Sequence, residues 1–173
     1  MIGVKAGLFV WVMDALKGYL PVLVAHYMLL PMLEPVPTAG APVAQWWLAA
    51  VAVAAILGHC FSPYLRLTGG RGVSTSLGVI IGLDWRAGAL CFVIWIIIVA
   101  LTRYISLSSM IATSSAALIL YLFSAPIPHI AATATIALIV IIRHIPNIQR
   151  LCNGTERKIG QKEPAAPESE TAS

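Results

Sequence analysis

Charge is what this sequence has least of. Only 10% of its 173 residues are Asp, Glu, Lys or Arg, against about a quarter in an ordinary soluble domain. So few charges cannot cover a water-facing surface, which all but excludes a soluble globular enzyme. Cysteine is scarce as well. Cys60, Cys91 and Cys152 are the three in the chain, and their wide spacing gives neither a disulfide framework nor a metal-ligand pattern. What the sequence does have is apolar surface: 59% of its residues are hydrophobic, too many for disorder anywhere but the tail. The class that remains is an all-α integral membrane protein, a polytopic helical bundle.

A helix needs roughly 17–25 mostly apolar residues to cross the hydrocarbon core. Runs of that kind fall at about 3–33, 43–62, 87–102, 105–124 and 127–142, with a shorter one at about 72–83 that follows a glycine-rich turn. The sequence thus predicts about six transmembrane segments, one of them short, joined by loops that force neighbours to run antiparallel. Residues 1–160 form one membrane domain. Residues 161–173 are rich in Glu, Pro, Ala, Ser and Thr and read as a disordered tail. The first apolar stretch carries charges and no small-residue cleavage site, so no cleavable signal peptide is expected.

Basic residues set the orientation. With a cytoplasmic C-terminus, alternation puts Lys5, Arg66, Arg71, Arg103, Arg143 and the tail bases on one side. Arg86, with Glu34 and Asp84, falls on the other. This is the positive-inside bias.

The remaining polar residues are more than a scaffold needs. Asp14 and Lys17 lie within the first span and, at about 1.5 Å per residue, are expected near mid-depth. Their i, i+3 spacing allows a local ion pair. Such a pair either neutralises itself or faces the bundle interior and binds something. Gly18 and Pro21 beyond them predict a kink or a close helix approach. The stretch 58–75, Gly-His-Cys-Phe-Ser-Pro-Tyr-Leu-Arg-Leu-Thr-Gly-Gly-Arg-Gly-Val-Ser-Thr, is richer still. Glycines 69, 70 and 72 let backbone amides converge, and the short helix after them offers a free N-terminus. With Arg71, Arg66 and the hydroxyls of Ser74 and Thr75, this makes an anion site for which phosphate is the obvious candidate; the bland alternative is a tight basic loop. A short helix at membrane depth favours the first reading, because broken elements there usually line a cavity. A third cluster runs Arg103-Tyr-Ile-Ser-Leu-Ser-Ser109, where Ser106 is expected to cap the next helix. A fourth runs from Arg143 to Lys158 and puts His144 and Asn147 on one helix face. His26 and His129 have no polar company and read as structural.

Asp14-Ala-Leu-Lys-Gly-Tyr-Leu-Pro-Val22, the block 58–75, the segment 103–109 and the stretch 143–158 occur in an order and spacing that resembles the PlsY-type glycerol-3-phosphate acyltransferases of bacterial phospholipid synthesis. The resemblance covers 3–158, and four ordered blocks make it specific. It implies a multi-pass protein of the bacterial membrane, its active face and C-terminus cytoplasmic. It also implies transfer of a fatty acyl group from acyl phosphate to glycerol 3-phosphate, giving 1-acylglycerol 3-phosphate. The partners are then those two substrates and membrane lipid, with no nucleic acid, metal or other cofactor. By similarity, Gly69, Gly70, Arg71 and Gly72 hold the acyl phosphate with Ser74 and Thr75. His144 and Asn147 meet glycerol phosphate, and Lys17 and Arg150 support binding. An activated acyl phosphate needs no covalent enzyme intermediate, so the protein's task is positioning and charge stabilisation. The proton acceptor is either a substrate phosphate oxygen or His144, the best protein base by its ordinary pKa.

Two departures from the family stand out. Arg71 occupies a position where Lys is common, exchanging a compact ammonium for a planar fork. Family members also begin with one more span and a loop bearing a Gly-Ser-Gly-Asn type motif, and this sequence starts just after the place of that motif. Two expectations follow: a misassigned start codon, or a divergent paralogue that acts as a membrane binding or regulatory protein.

Overall fold

The structure, a computed structural model, describes residues 3–29, 32, 43–62 and 69–161. Arg66 and residues 162–173 of the expected tail lie outside the described residues. All regular structure among the described residues is helical. The helices are α1 (Val4–Val24), α2 (Val43–Cys60), α3 (Val73–Leu83), α4 (Trp85–Thr102), α5 (Ile105–Leu122), α6 (Ile127–Arg143) and α7 (Ile145–Cys152), and α1 continues as a π-helical turn over Ala25–Leu29.

Four helical stretches are long and apolar enough to cross a membrane: Lys5–Met28, Val43–Cys60, Trp85–Thr102 and Ile105–Leu122. The bent pair α6–α7 makes a fifth, and α3 is a shorter apolar helix. The six expected segments are therefore present, including the short one. Their outer faces stay apolar and uncovered, as at Leu8, Phe9, Ile97, Leu118 and Leu138, which is what a lipid environment demands of a helix surface.

The short helix is central. Val79 of α3 belongs to a core built with Val22 of α1, Leu48, Ala52 and Ile56 of α2, and Ile136 and Val140 of α6. Its neighbour Ile80 faces a second core with Ala87 and Cys91 of α4 and Ala116, Ile119 and Leu120 of α5. Lipid tails are as apolar as leucine, so association here depends on close van der Waals packing of small residues rather than on a hydrophobic drive. The α1–α3 contact follows that rule. A Cβ placed on Gly18 would strike the Thr75 carbonyl oxygen, and one on Gly78 would strike the carbonyl of Ala15. Gly18 thus provides the close approach that its position suggested.

Helix ends place the site. Asp84 ends α3 and caps α4, accepting from the amides of Arg86 (2.8 Å) and Ala87 (3.4 Å). At the other end of the bundle, α6 and α7 meet at a bend of 59°. Pro146 causes it, since it brings no N–H to the carbonyl four residues back and disfavours helix at the residue before it. His144 sits at the bend. The chain after α7 then folds back onto the α4–α5 junction: Ile159 N–H donates to the Arg103 carbonyl (2.9 Å), Arg103 Nη2 donates to the Ile159 carbonyl (2.8 Å), and Lys158 lies 5.3 Å from the Tyr104 ring centroid.

Candidate active site

The glycine turn rests against the last turn of α2. Gly69 N–H donates to the Cys60 carbonyl at 3.1 Å. Side chains at 69 or 70 would collide with the His59 and Cys60 backbone or with the His59 ring. Gly72 adopts φ +81°, in the left-handed region, and a Cβ there would come within 2.9 Å of Cys60 Sγ. Glycine is therefore required at each position by close approach, and at Gly72 by backbone conformation as well. Gly72 precedes α3, whose first amides carry no intrahelical partner.

A cavity of about 370 Å³ opens beside this turn. The end beside the turn carries Arg71, Ser74, Ser106 and His144; the rest is mostly apolar, with Leu77, Ile80, Cys91, Phe92, Trp95 and Ala112 among its walls beside Ser109 and Thr113 of α5. Trp11 and Phe92 meet at 6.3 Å between centroids, Phe92 stacks on Trp95 at 6.0 Å, and Trp95 Nε1 donates to Ser109 Oγ (3.2 Å). These rings form an aromatic wall of the cavity.

His144 is buried, and its Nδ1 lies 2.8 Å from the Val140 carbonyl. A carbonyl only accepts, so Nδ1 carries the hydrogen and Nε2 of the neutral ring is left as an acceptor. Asn147 is buried behind it. Its Nδ2 donates to Glu156 at 2.7 Å, while its Oδ1 has no partner. Thr75 Oγ1 and Ser106 Oγ are likewise buried without hydrogen bonds. Of the three, Ser106 lines the cavity, and a buried hydroxyl left without a partner there is costly unless a ligand meets it.

The structure brings part of the expected site together. Arg71, Ser74 and His144 share the cavity, whereas Thr75 turns toward Gly18 at the α1–α3 contact. Lys17 and Arg150 do not line it. Lys17 pairs with Asp14 at 3.0 Å, and Asp14 lies 3.8 Å from His59 Nδ1 in the last turn of α2. Asp14 thus stands beside the end of α2 on which the glycine turn rests, because α1 extends beyond the point where it meets short α3. Ser106 is not a cap either. Tyr104 occupies the N-cap position of α5, and the Ser106 hydroxyl lies buried two residues further on.

Two residues escaped the sequence reading. Glu156, whose side chain is 9% exposed, accepts from Asn147 Nδ2 and Arg150 Nε, both at 2.7 Å. Burial pushes its carboxyl up, but those hydrogen bonds and the Arg150 charge outweigh this and leave it below its ordinary value. Ser106 Oγ lies beside the same carboxylate without completing a hydrogen bond. Arg143 donates to the Gly69 carbonyl (2.6 Å, Nη2) and the Gly70 carbonyl (3.3 Å, Nε). The one signal for Glu156 was an acid inside a basic stretch; nothing local marked the partners of Arg143.

The family model for glycerol-3-phosphate acyltransferase matches residues 1–154. A glycerol-3-phosphate acyltransferase of Nostoc sp. is 38% identical over 170 residues, spanning 93% of this chain and 73% of that protein. One from Thioalkalivibrio sulfidiphilus is 42% identical over 149 residues, 86% of this chain and 67% of that one. The crystal structure of PlsY, an integral membrane glycerol 3-phosphate acyltransferase, in its glycerol 3-phosphate form superposes with a TM-score of 0.81 at 32% identity, covering 92% of this chain and 74% of that one. Its lysophosphatidic acid form gives a TM-score of 0.80. With the glycine turn, the bend and the buried histidine all within the matched residues, the chain belongs to the glycerol-3-phosphate acyltransferase family.

Proposed function

We propose that this protein transfers a fatty acyl group from acyl phosphate to glycerol 3-phosphate at the glycine-turn end of the bundle, the end that faces the cytoplasm of a bacterial cell. The observation that carries the proposal is a single cavity, mostly apolar along its length, with Arg71, Ser74 and His144 at the end beside the glycine turn. An acyl phosphate has that same division, a hydrocarbon tail and a dianionic head. The head lies at the 69–72 turn with Arg71 and Ser74, and the tail runs along the aromatic wall toward Cys91 and Ala112. Glycerol 3-phosphate, the acceptor in the family, enters beside His144 and Asn147, where the Asn147 Oδ1 and Ser106 Oγ orphans offer partners to its hydroxyls.

Chemistry then needs one step. The glycerol hydroxyl attacks the acyl carbon, the carbonyl oxygen takes the negative charge, and inorganic phosphate leaves as the carbonyl reforms. His144 Nε2 takes the hydroxyl proton. Arg71 and the turn amides stabilise the charge on the departing phosphate. Lys17 and Arg150 act from a distance: Lys17 through Asp14, and Arg150 through the carboxylate that also holds Asn147.

The test is to supply the purified, membrane-inserted protein with palmitoyl phosphate and glycerol 3-phosphate and to measure 1-acylglycerol 3-phosphate and released phosphate. Equimolar product that disappears in His144→Ala supports the reading. Saturable binding of both substrates without turnover would instead favour a membrane binding protein.

A further inference from the structure

The 69–72 turn is gripped on two sides. On one lies α2, whose Cys60 carbonyl takes the Gly69 amide and whose His59 ring fills the space under Gly70. Asp14 of α1, itself paired with Lys17, stands 3.8 Å from His59 Nδ1. On the other side lies the half-buried Arg143 at the end of α6. Its guanidinium donates to two consecutive loop carbonyls, those of Gly69 and Gly70, and lies 5.5 Å from the Phe61 ring centroid.

Two consecutive carbonyls held by one fork have a consequence for the amides. In a trans peptide plane the C=O and the following N–H point in opposite directions. Holding the Gly69 and Gly70 carbonyls on Arg143 turns the N–H groups of Gly70 and Arg71 away from it, as a pair. A two-glycine turn left to itself has many conformations of similar energy, so this orientation has to be imposed. The planar guanidinium is suited to the task, since it presents several donors in one fixed geometry whereas an ammonium is a single point.

We infer that Arg143 is a positioning residue for phosphate recognition: it does not bind the acyl phosphate, but fixes the 69–72 turn so that the Gly70 and Arg71 amides face the incoming phosphate group, with the Asp14–His59 pair as the opposing wall. This rests on the acyl-phosphate reading above. It goes beyond that reading by separating two arginines, Arg71 facing substrate and Arg143 facing backbone.

The experiment compares Arg143→Lys with the wild-type enzyme. Lysine keeps the charge, so a residue that merely attracts phosphate or sets membrane orientation keeps its role. Losing the fork should lower kcat/KM for acyl phosphate about tenfold to hundredfold, the effect of one or two charge-assisted hydrogen bonds. The KM for glycerol 3-phosphate should change by less than about threefold, because none of those bonds is lost on its side of the site. Arg143→Ala should be partly rescued by millimolar guanidinium, which a misfolded protein would not be. Hydrogen exchange of the 69–75 segment provides a readout independent of turnover: its amides should exchange faster in Arg143→Lys while α4 and α5 remain unchanged. Near-wild-type kinetics in Arg143→Lys, equal damage to both substrates, or unaltered exchange of the turn would overturn the inference. A wild-type protein with no turnover but a turn that loosens on Arg143→Lys would sink the acyl-transfer reading and leave the clamp standing.

Discussion

Replacing Glu156 by Gln probes whether the chain after α7 holds the site together. The carboxylate accepts two hydrogen bonds of 2.7 Å, one from buried Asn147 and one from Arg150, whose side chain is 43% exposed. The Asn147 bond is shielded and worth about 1.5–3 kcal/mol; the Arg150 pair is partly solvated, so about 0.5–1 kcal/mol is appropriate. Glutamine keeps one acceptor oxygen, but its amide then opposes either the Asn147 or the Arg150 donor. The net loss should be about 2 kcal/mol, which for a chain of this size lowers Tm by roughly 4–8 °C. Linkage adds a sign. The carboxyl of Glu156 lies below its ordinary value in the folded protein, so its contribution is fully present above that value and disappears as pH falls through the folded one. Asp84 is held low chiefly by its hydrogen bond from Arg86, opposed by burial and helped by the α4 amides. It titrates in the same acidic window, but the difference between wild type and Glu156→Gln cancels it. Thermal unfolding in detergent from pH 7 down to pH 3 should show that difference shrinking with acidification. A constant difference across the range, or none at pH 7, would refute the argument.

Gly78→Ala drives a methyl group against the Ala15 backbone carbonyl; overpacking of this kind costs about 1–3 kcal/mol, read as a lower Tm, and an unchanged Tm would show that α1 and α3 can separate freely. Ala112→Phe fills the apolar length of the cavity and should shift the preference toward shorter acyl phosphates without moving the KM for glycerol 3-phosphate; a uniform loss at every chain length would count against the tail path. Asp84→Ala removes the α4 cap and the Arg86 partner at 2.8 Å. It should cost about 1–2 kcal/mol, with activity per folded molecule retained because Asp84 lies at the opposite end of the bundle.

How much was legible in advance varied with how local the signal was. The run 72–83 was marked as short by its own composition, and the structure shows Val73–Leu83 as a helix of 11 residues. The glycine turn was equally plain, since only glycine tolerates both the left-handed conformation at Gly72 and the contact with His59 at Gly70. The neighbour of Asp14 was not legible. Counting along its own helix says nothing of what stands opposite, and α1 runs past the start of α3, so the residue reaches His59 beneath the glycine turn. Nor was the double role of the last motif. His144 and Arg143 are adjacent, but at the end of α6 one lines the cavity and the other donates to carbonyls 74 and 73 residues back in the chain.

The sequence by itself determined the solvent this protein lives in, the number of its apolar segments, the position of its glycine turn and the family whose motifs it carries. All of these depend on residue type and near-neighbour spacing. Only the tertiary structure decided which charges line the cavity and which hold other parts of the protein. Arg71 and Arg143, Lys17 and Arg150 are alike as residues at a membrane edge. They differ in what stands opposite them, and that is set by how closely Gly18 and Gly78 let α1 approach α3 and by how sharply α6 turns into α7.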